Sequence, residues 1–274
     1  MTISKEEVLK RLDKLPSIPA VLQEILSSFN NASVDGTALA GLIMRDQGLS
    51  AKVLRVANSP FYGLPRAVPS IQDAVMVMGF SSVRSLVLSA GIRNAFPLTH
   101  GSLFDRTAYW KRSFRVAGYA KALAKLLNHE SAVLFTAAIF HDIGLLVLDV
   151  CIPVEFGKIL QIETDSKRDL GAIEIEMLGF DHHEIGGELL KLWNFPKEIE
   201  NIVRMWVRPD LLPINRTAAI VYIANLLDQG FRGKNLAERM PRIVNETFGI
   251  EWSTLEDRLP DVLELEAGAA ILAT

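Results

Sequence analysis

Apolar residues recur along this chain at helical spacing, and no segment alternates convincingly with period two. Val21, Leu22, Ile25 and Leu26 mark the inner face of a helix over 20–29, and similar patterns predict helices over 38–45, 50–57, 81–93, 170–178, 197–207 and 218–229. Polar punctuation supports the same reading. Ser4-Lys5-Glu6-Glu7 is a capping box, Ser70-Ile71-Gln72-Asp73 caps the helix that Gly79 closes, and Asp181 with Glu184 forms another reciprocal cap. Ser253-Thr254-Leu255-Glu256 opens a last helical region, and breakers near 15–19, 58–69 and 194–196 separate the rest. The expected fold is all-α, a multi-helical bundle of roughly a dozen helices.

Two stretches stand out for their length. Residues 105–127 read as a long amphipathic helix, and 131–154 form the most apolar run of the chain. The run is apolar on every side, so it predicts a single helix buried nearly all round. It is also long enough to resemble a membrane span. Asp142 near its middle would cost ~3 kcal/mol on insertion scales, and His141 adds to that. A core helix of a soluble protein is the expectation, with partners for both ionisable groups.

Composition changes this picture little. The 274 residues leave room for one large domain or two small ones, and a net charge of −3 gives no general attraction to nucleic acid. The distribution of charge is uneven. Between Ala74 and His129 Asp105 is the only acid, against Arg84, Arg93, Arg106, Lys111, Arg112, Arg115, Lys121 and Lys125, while 246–266 is acidic. These are either solvated helix faces or a basic surface that meets an acidic partner or the chain's own tail. Cys151 stands alone, which excludes an internal disulfide and a cysteine-built metal site. The first residues form a charged amphipathic stretch without a signal-peptide core, so a cytoplasmic protein is expected. No glycine-rich phosphate loop and no internal repeat is present.

The candidate chemistry lies at Phe140-His141-Asp142-Ile143-Gly144, whose His-Asp pair matches the HD-x-G core of helical metal-dependent phosphohydrolases. Around it stand Leu15-Pro16 with Pro19, the 46–59 segment ending in Ala57-Asn58-Ser59, the Trp110 helix, Gly179-Phe180-Asp181-His182 with Glu184 and Gly186, and Trp193 followed by Pro196. Together and in this order they resemble the HDOD family, the HD-related output domain of bacterial signalling proteins. The resemblance covers roughly 15–229. It implies an N-terminal helical subdomain (1–100), a degenerate HD-like core (101–230) and a C-terminal helical extension (231–274), a division that agrees with the breaker stretch 97–101 as the best candidate boundary in the chain.

An active HD site holds one or two divalent ions on His and Asp side chains from several helices. Compared with that pattern, His141, Asp142 and His182 are intact. Arg112 stands where a first ligand histidine is expected, and an always-charged guanidinium has no lone pair to give. Trp206-Val207-Arg208-Pro209 replaces a histidine pair, and Asn225 takes the place of the terminal Asp. The resemblance thus implies a vestigial pocket of His141, Asp142, His182, Arg112 and Asn225, with Arg112 as the partner of Asp142 and no catalytic residue. No metal or other cofactor is expected; an ion, if bound, would use His141, Asp142 and His182. His129 lies ~18 Å along a continuous helix from His141, too far to share an ion, and His100 falls in the boundary loop. His183 is expected to be exposed and neutral at a helix N-terminus, and Trp193 and Trp206 to be core anchors. Ser113 lacks a nucleophile elbow.

The function expected is a non-catalytic regulatory module that transmits signals through protein contacts, acting as a stand-alone unit with signalling partners in trans, and with a homo-oligomer left open. A metal-dependent phosphohydrolase of a nucleotide or cyclic dinucleotide is the alternative. A membrane is not expected as a partner, nor is nucleic acid.

Overall fold

The computed structural model describes residues 3–13, 15, 18–29, 35–59, 66–97, 99, 101–210, 214–249, 252, 258–260, 265 and 269–270. Among them every regular element is a helix: α1 (Lys5–Leu12), α2 (Ala20–Ser27), α3 (Gly36–Met44), α4 (Gln47–Ala57), α5 (Ile71–Met78), α6 (Phe80–Ala95), α7 (Arg106–Leu126), α8 (Leu134–Ile139), α9 (Gly144–Cys151), α10 (Pro153–Ser166), α11 (Leu170–Leu178), α12 (His182–Leu192), α13 (Lys197–Met205), α14 (Arg216–Asp228), α15 (Gly233–Arg239) and α16 (Arg242–Phe248). The cap expected at 253–256 lies outside the described residues.

Side-chain caps set many of the starts. Ser4, Asp35, Asp46, Ser70, Asp105, Asp169, Asp181 and Asn215 each accept a backbone N–H from the first turn they precede. The cap at Asp181 is only half a capping box. Asp181 accepts from the Glu184 amide at 2.9 Å, but the Glu184 carboxyl turns away to an ion pair with Lys5 of α1. That pair ties the first helix to α12.

The core is continuous. α2 to α5 gather around α6, α6 packs on α8, and α8 also meets α7, α13 and α14. α9 packs on α12, α10 and α1, so the N-terminal helix closes over the C-terminal half. Leu134–Cys151 is long and apolar enough to cross a membrane, with a mean hydropathy of 1.8, but 94% of it is buried inside the protein.

The expected single helix over 131–154 is in fact two. Phe140 leaves helical geometry at φ −100°, ψ 10°, and residues 140–143 form turns between α8 and α9. Three-residue hydrogen bonds carry the chain across: Ile143 N to Phe140 O, Leu145 N to Asp142 O and Leu146 N to Ile143 O, all near 3.0 Å. The His141 side chain takes part by donating from Nδ1 to the Ala138 carbonyl at 2.7 Å. A run apolar on all sides has no periodicity to lose, so a four-residue break inside it leaves no trace in the pattern. The sequence pattern also leaves α10 unpredicted, while α15 and α16 fall in the helical extension expected over 231–274.

Candidate functional site

The break between α8 and α9 presents His141 and Asp142 to the first turn of α12. Close approach is possible because Gly144 has no side chain: a Cβ there would lie 1.8 Å from the His182 carbonyl oxygen. Three imidazoles then converge on one carboxylate. Nε2 of His141, His182 and His183 lie 3.3, 3.5 and 3.6 Å from the Asp142 oxygens. On their far sides the Nδ1 atoms face acceptors: the Ala138 carbonyl for His141 at 2.7 Å, Glu174 Oε2 for His182 at 2.6 Å and Asp181 Oδ2 for His183 at 3.6 Å. Glu174 Oε2 also accepts the His182 amide at 2.8 Å, which fixes the ring and the helix start together. Rings oriented in this way by acceptors behind them are the usual supporting arrangement of imidazole ligands.

The other side of Asp142 is occupied by cations. Arg112 Nη1 donates to Asp142 Oδ2 at 2.6 Å, and its Nη2 donates to Asn225 Oδ1 at 2.6 Å. Asp228 lies 3.9 Å from Arg112 Nε and accepts from Arg115 at 2.6 and 3.1 Å. Residues 112 and 115 on α7 thus face 225 and 228 on α14, one helical turn apart on each. Trp206 closes the group from α13. Its indole N–H donates to the His141 carbonyl at 3.0 Å, and its ring meets the His141 and His183 rings edge-on at 5.1 and 5.2 Å.

These contacts set the charges. Burial pushes the Asp142 carboxyl up, but His141, Arg112 and the nearby His182 ring outweigh it and hold the group well below the usual carboxylate range. Burial alone would push His182 down; Glu174 and Asp142 lift it instead to about 10, which makes it an imidazolium spanning two carboxyl groups at neutral pH. His183 stacks on that cation with ring centroids 3.9 Å apart, and burial together with His182 lowers it, so it is neutral.

The residues present fit one divalent ion in part. Ligand atoms of Asp142, His182 and His183 lie within 4.8 Å of one another, and all three residues are buried. His141 Nε2, Asp142 Oδ1 and His183 Nε2 are buried without a well-formed hydrogen bond among the described residues. A pair of ions does not fit. The Arg112 guanidinium covers Asp142 Oδ2, and the neutral Asn225 amide is engaged with the same guanidinium. A cleft of about 680 Å³ opens on the group, lined by Arg112, Asp142, His182, His183, Trp206 and Asn225 and also by Lys167, Arg168, Glu163 and Tyr222.

The structure therefore brings His141, Asp142, His182, Arg112 and Asn225 to one place. It corrects His183, which is 6% exposed and part of the cluster, because the α12 start is packed against α9 and Trp206 rather than open to water. Trp206 is buried as expected yet also lines the cleft. His129 is elsewhere, with Nε2 2.9 Å from the Thr217 hydroxyl, and His100 lies outside the described residues. Glu174 and Asp228 are missing from the sequence reading. Glu174 had a signal, as a charged residue set between apolar neighbours on α11, and Asp228 repeats the spacing of Arg112 and Arg115. The basic segment is not simply a solvated face either: Arg84 is buried, with its guanidinium 3.4 Å from the Phe29 ring centroid, and Arg106, Arg112 and Arg115 pair with Asp149, Asp142 and Asp228.

An all-α bundle that seats a His-Asp pair in a break of its buried helix, against a second helix opening on histidines, defines an HD-type helical domain. The family model of the HDOD domain matches residues 15–209. The chain belongs to the HDOD family. An uncharacterized protein of Treponema pallidum (strain Nichols) is 24% identical over 248 residues, and the chain spans about half the length (48%) of that curated relative. Among solved structures, an HDOD domain protein of unknown function from Geobacter sulfurreducens is similar with TM-score 0.78 at 23% identity, each chain covered to 97%. A protein of Shewanella amazonensis SB2B, provisionally named a phosphohydrolase, is similar with TM-score 0.73 at 26% identity, covering 97% of this chain and 98% of its own. A provisionally named signal transduction protein of Marinobacter aquaeolei VT8 gives 0.76 at 22% identity, with 95% of this chain and 60% of its own covered.

Proposed function

We propose that this chain is a non-catalytic signal-transduction module that works in the cytoplasm through contacts with other signalling proteins. The observation that carries the reading is the Arg112 guanidinium, which bridges Asp142 and Asn225 at 2.6 Å each. A fixed cation on the site carboxylate opposes a divalent ion beside it. An ion would also have to displace the second proton of His182, because metal ligation needs the neutral ring. The cluster instead satisfies its own charges as a buried network, with two carboxyl groups facing a guanidinium and an imidazolium. On this reading the helices to Ala95 form the N-terminal subdomain and those from Arg106 the degenerate HD-like core. The test is hydrolysis of bis(p-nitrophenyl) phosphate and p-nitrophenyl phosphate with manganese or magnesium. No turnover above buffer is expected, and turnover that disappears in Asp142→Ala would overturn the reading.

A second reading, a metal-dependent phosphohydrolase, is favoured by the Asp142, His182 and His183 set and by the orphaned Nε2 atoms. Those three residues would hold the ion, which would supply an activated water and a Lewis acid toward phosphorus. In that case Glu174 and Asp181 would orient the two imidazoles, and the cleft would admit the phosphate ester.

A further inference from the structure

A second pocket lies where α6 meets α7 and α9, on a different face of α7 from the histidine cleft. It has a volume of about 290 Å³ and is lined by Arg93, Asn94, Phe96, Arg106, Thr107, Trp110 and Leu146. No carboxylate lines it among the described residues. Arg93 Nη1 is buried and has no hydrogen-bond partner among the described residues. A guanidinium nitrogen removed from water without a partner costs free energy, so such an atom is a vacancy for an acceptor.

The second arginine is held in place from behind. Arg106 Nε donates to Asp149 at 2.7 Å, its Nη2 serves Thr99 at 3.0 Å and Asp149, and its Nη1 reaches the Phe96 carbonyl at 3.3 Å. A guanidinium carries five N–H groups, so Nη1 keeps one in reserve. Asp149 is itself buried and also accepts from the Ser102 hydroxyl, which fixes Arg106 without filling the pocket. The surroundings add positive charge. Lys52 on α4 is close enough to Arg93 and Arg55 for its ammonium to be lowered, after burial, by both of them, and only Asp46 acts in the other sense. Like charges gathered around a guanidinium with one buried, unpartnered nitrogen are relieved by one anion. The polar complement, a fork, an amide and a hydroxyl beside an indole, suits a tetrahedral oxyanion.

We infer that the pocket of Arg93, Asn94, Arg106, Thr107 and Trp110 is a binding site for a phosphate group, either the free ion or the phosphate of a small phosphomonoester. The site joins α6 to α7, which carries Arg112, and to α9, which follows Asp142, so a ligand there contacts both halves of the fold. It stands whether or not the histidine cleft hydrolyses anything.

The experiment is an NMR titration of the full chain, following the Trp110 indole signal assigned with Trp110→Phe. Inorganic phosphate and glycerol phosphate are added in separate arms, at ionic strength held constant with chloride. A saturable shift is expected, weakened at least about tenfold in Arg93→Gln and partly recovered in Arg93→Lys, while Lys167→Ala in the other cleft leaves it unchanged. Saturation by inorganic phosphate alone identifies a free-ion site; saturation by both identifies a phosphoryl site open to esters. No saturable shift, or one that survives Arg93→Gln in folded protein, would overturn the inference, as would one that is lost in Lys167→Ala.

Discussion

Gly144 and His182 approach so closely that the α-carbon of one has no room for a methyl group beside the carbonyl of the other: a Cβ at 144 would sit 1.8 Å from that oxygen and 2.9 Å from the Gly186 amide. Both obstacles are backbone, so no side-chain rotation relieves them. The contact sets the distance between the His-Asp break and the histidines of α12, and with it the whole cluster.

Gly144→Ala is therefore expected to push α12 away from α9 at a cost of ~3 kcal/mol or more. Urea unfolding of the variant measures it. A loss below about 1 kcal/mol would mean that the two helices slide freely and that the convergence on Asp142 is not enforced by packing.

Arg112→Met leaves the Asp142 carboxyl buried beside three imidazoles with its guanidinium partner gone. A loss of ~2–3 kcal/mol is expected, at or below the bottom of the range for broken buried pairs because Arg112 is 31% exposed. Asp142→Asn in the same chain should recover most of it. A double-mutant cycle that shows no coupling would remove Arg112 as the compensating charge.

The pH dependence has two limbs. Burial would raise Asp181, but the His183 ring beside it and the Glu184 amide lower it to about 2, so its stabilisation is present above pH 3.8 and fades as pH falls toward 2. Asp142 is lowered too, and fades over the same acid side. His182 is raised to about 10, so its share is full below pH 6.5 and is lost as pH rises through 10. Urea midpoints across this range should form a plateau between the limbs. Asp181→Asn keeps the cap without the titration and should flatten the acid limb by on the order of 2 kcal/mol.

Restoring ligand chemistry should change the behaviour of the pocket. Arg112→His with Asn225→Asp replaces the guanidinium and the amide with two groups that can ligate. Calorimetric titration with manganese is expected to show binding in the double variant that is absent in the parent chain. Equal behaviour of the two proteins would mean that Arg112 is not what keeps an ion away.

Much of this was legible from residues in order. The all-α bundle followed from helical spacing and from caps such as Ser4, Ser70 and Asp181, which are local chemistry and need no tertiary information. The pairing of Arg112 with Asp142 followed from the family resemblance, which put a cation at the first-ligand position, and from the need of a buried carboxylate for one. What escaped depended on neighbours distant in sequence. The helix break at 140–143 left no mark in an evenly apolar run. The burial of His183 depends on Gly144 and Trp206, and Glu184 turns to Lys5 instead of its own cap because α1 folds back across α12.

On the proposed reading, Arg112 and a protonated His182 keep a divalent ion from Asp142. Metal content by mass spectrometry tests it most directly, on protein purified without chelator or affinity-tag nickel and alongside Asp142→Ala. Substoichiometric metal, equal in both proteins, is the predicted result. Close to one ion per chain in the parent protein, lost in Asp142→Ala, would contradict the account and make the Asp142, His182 and His183 set a working metal site.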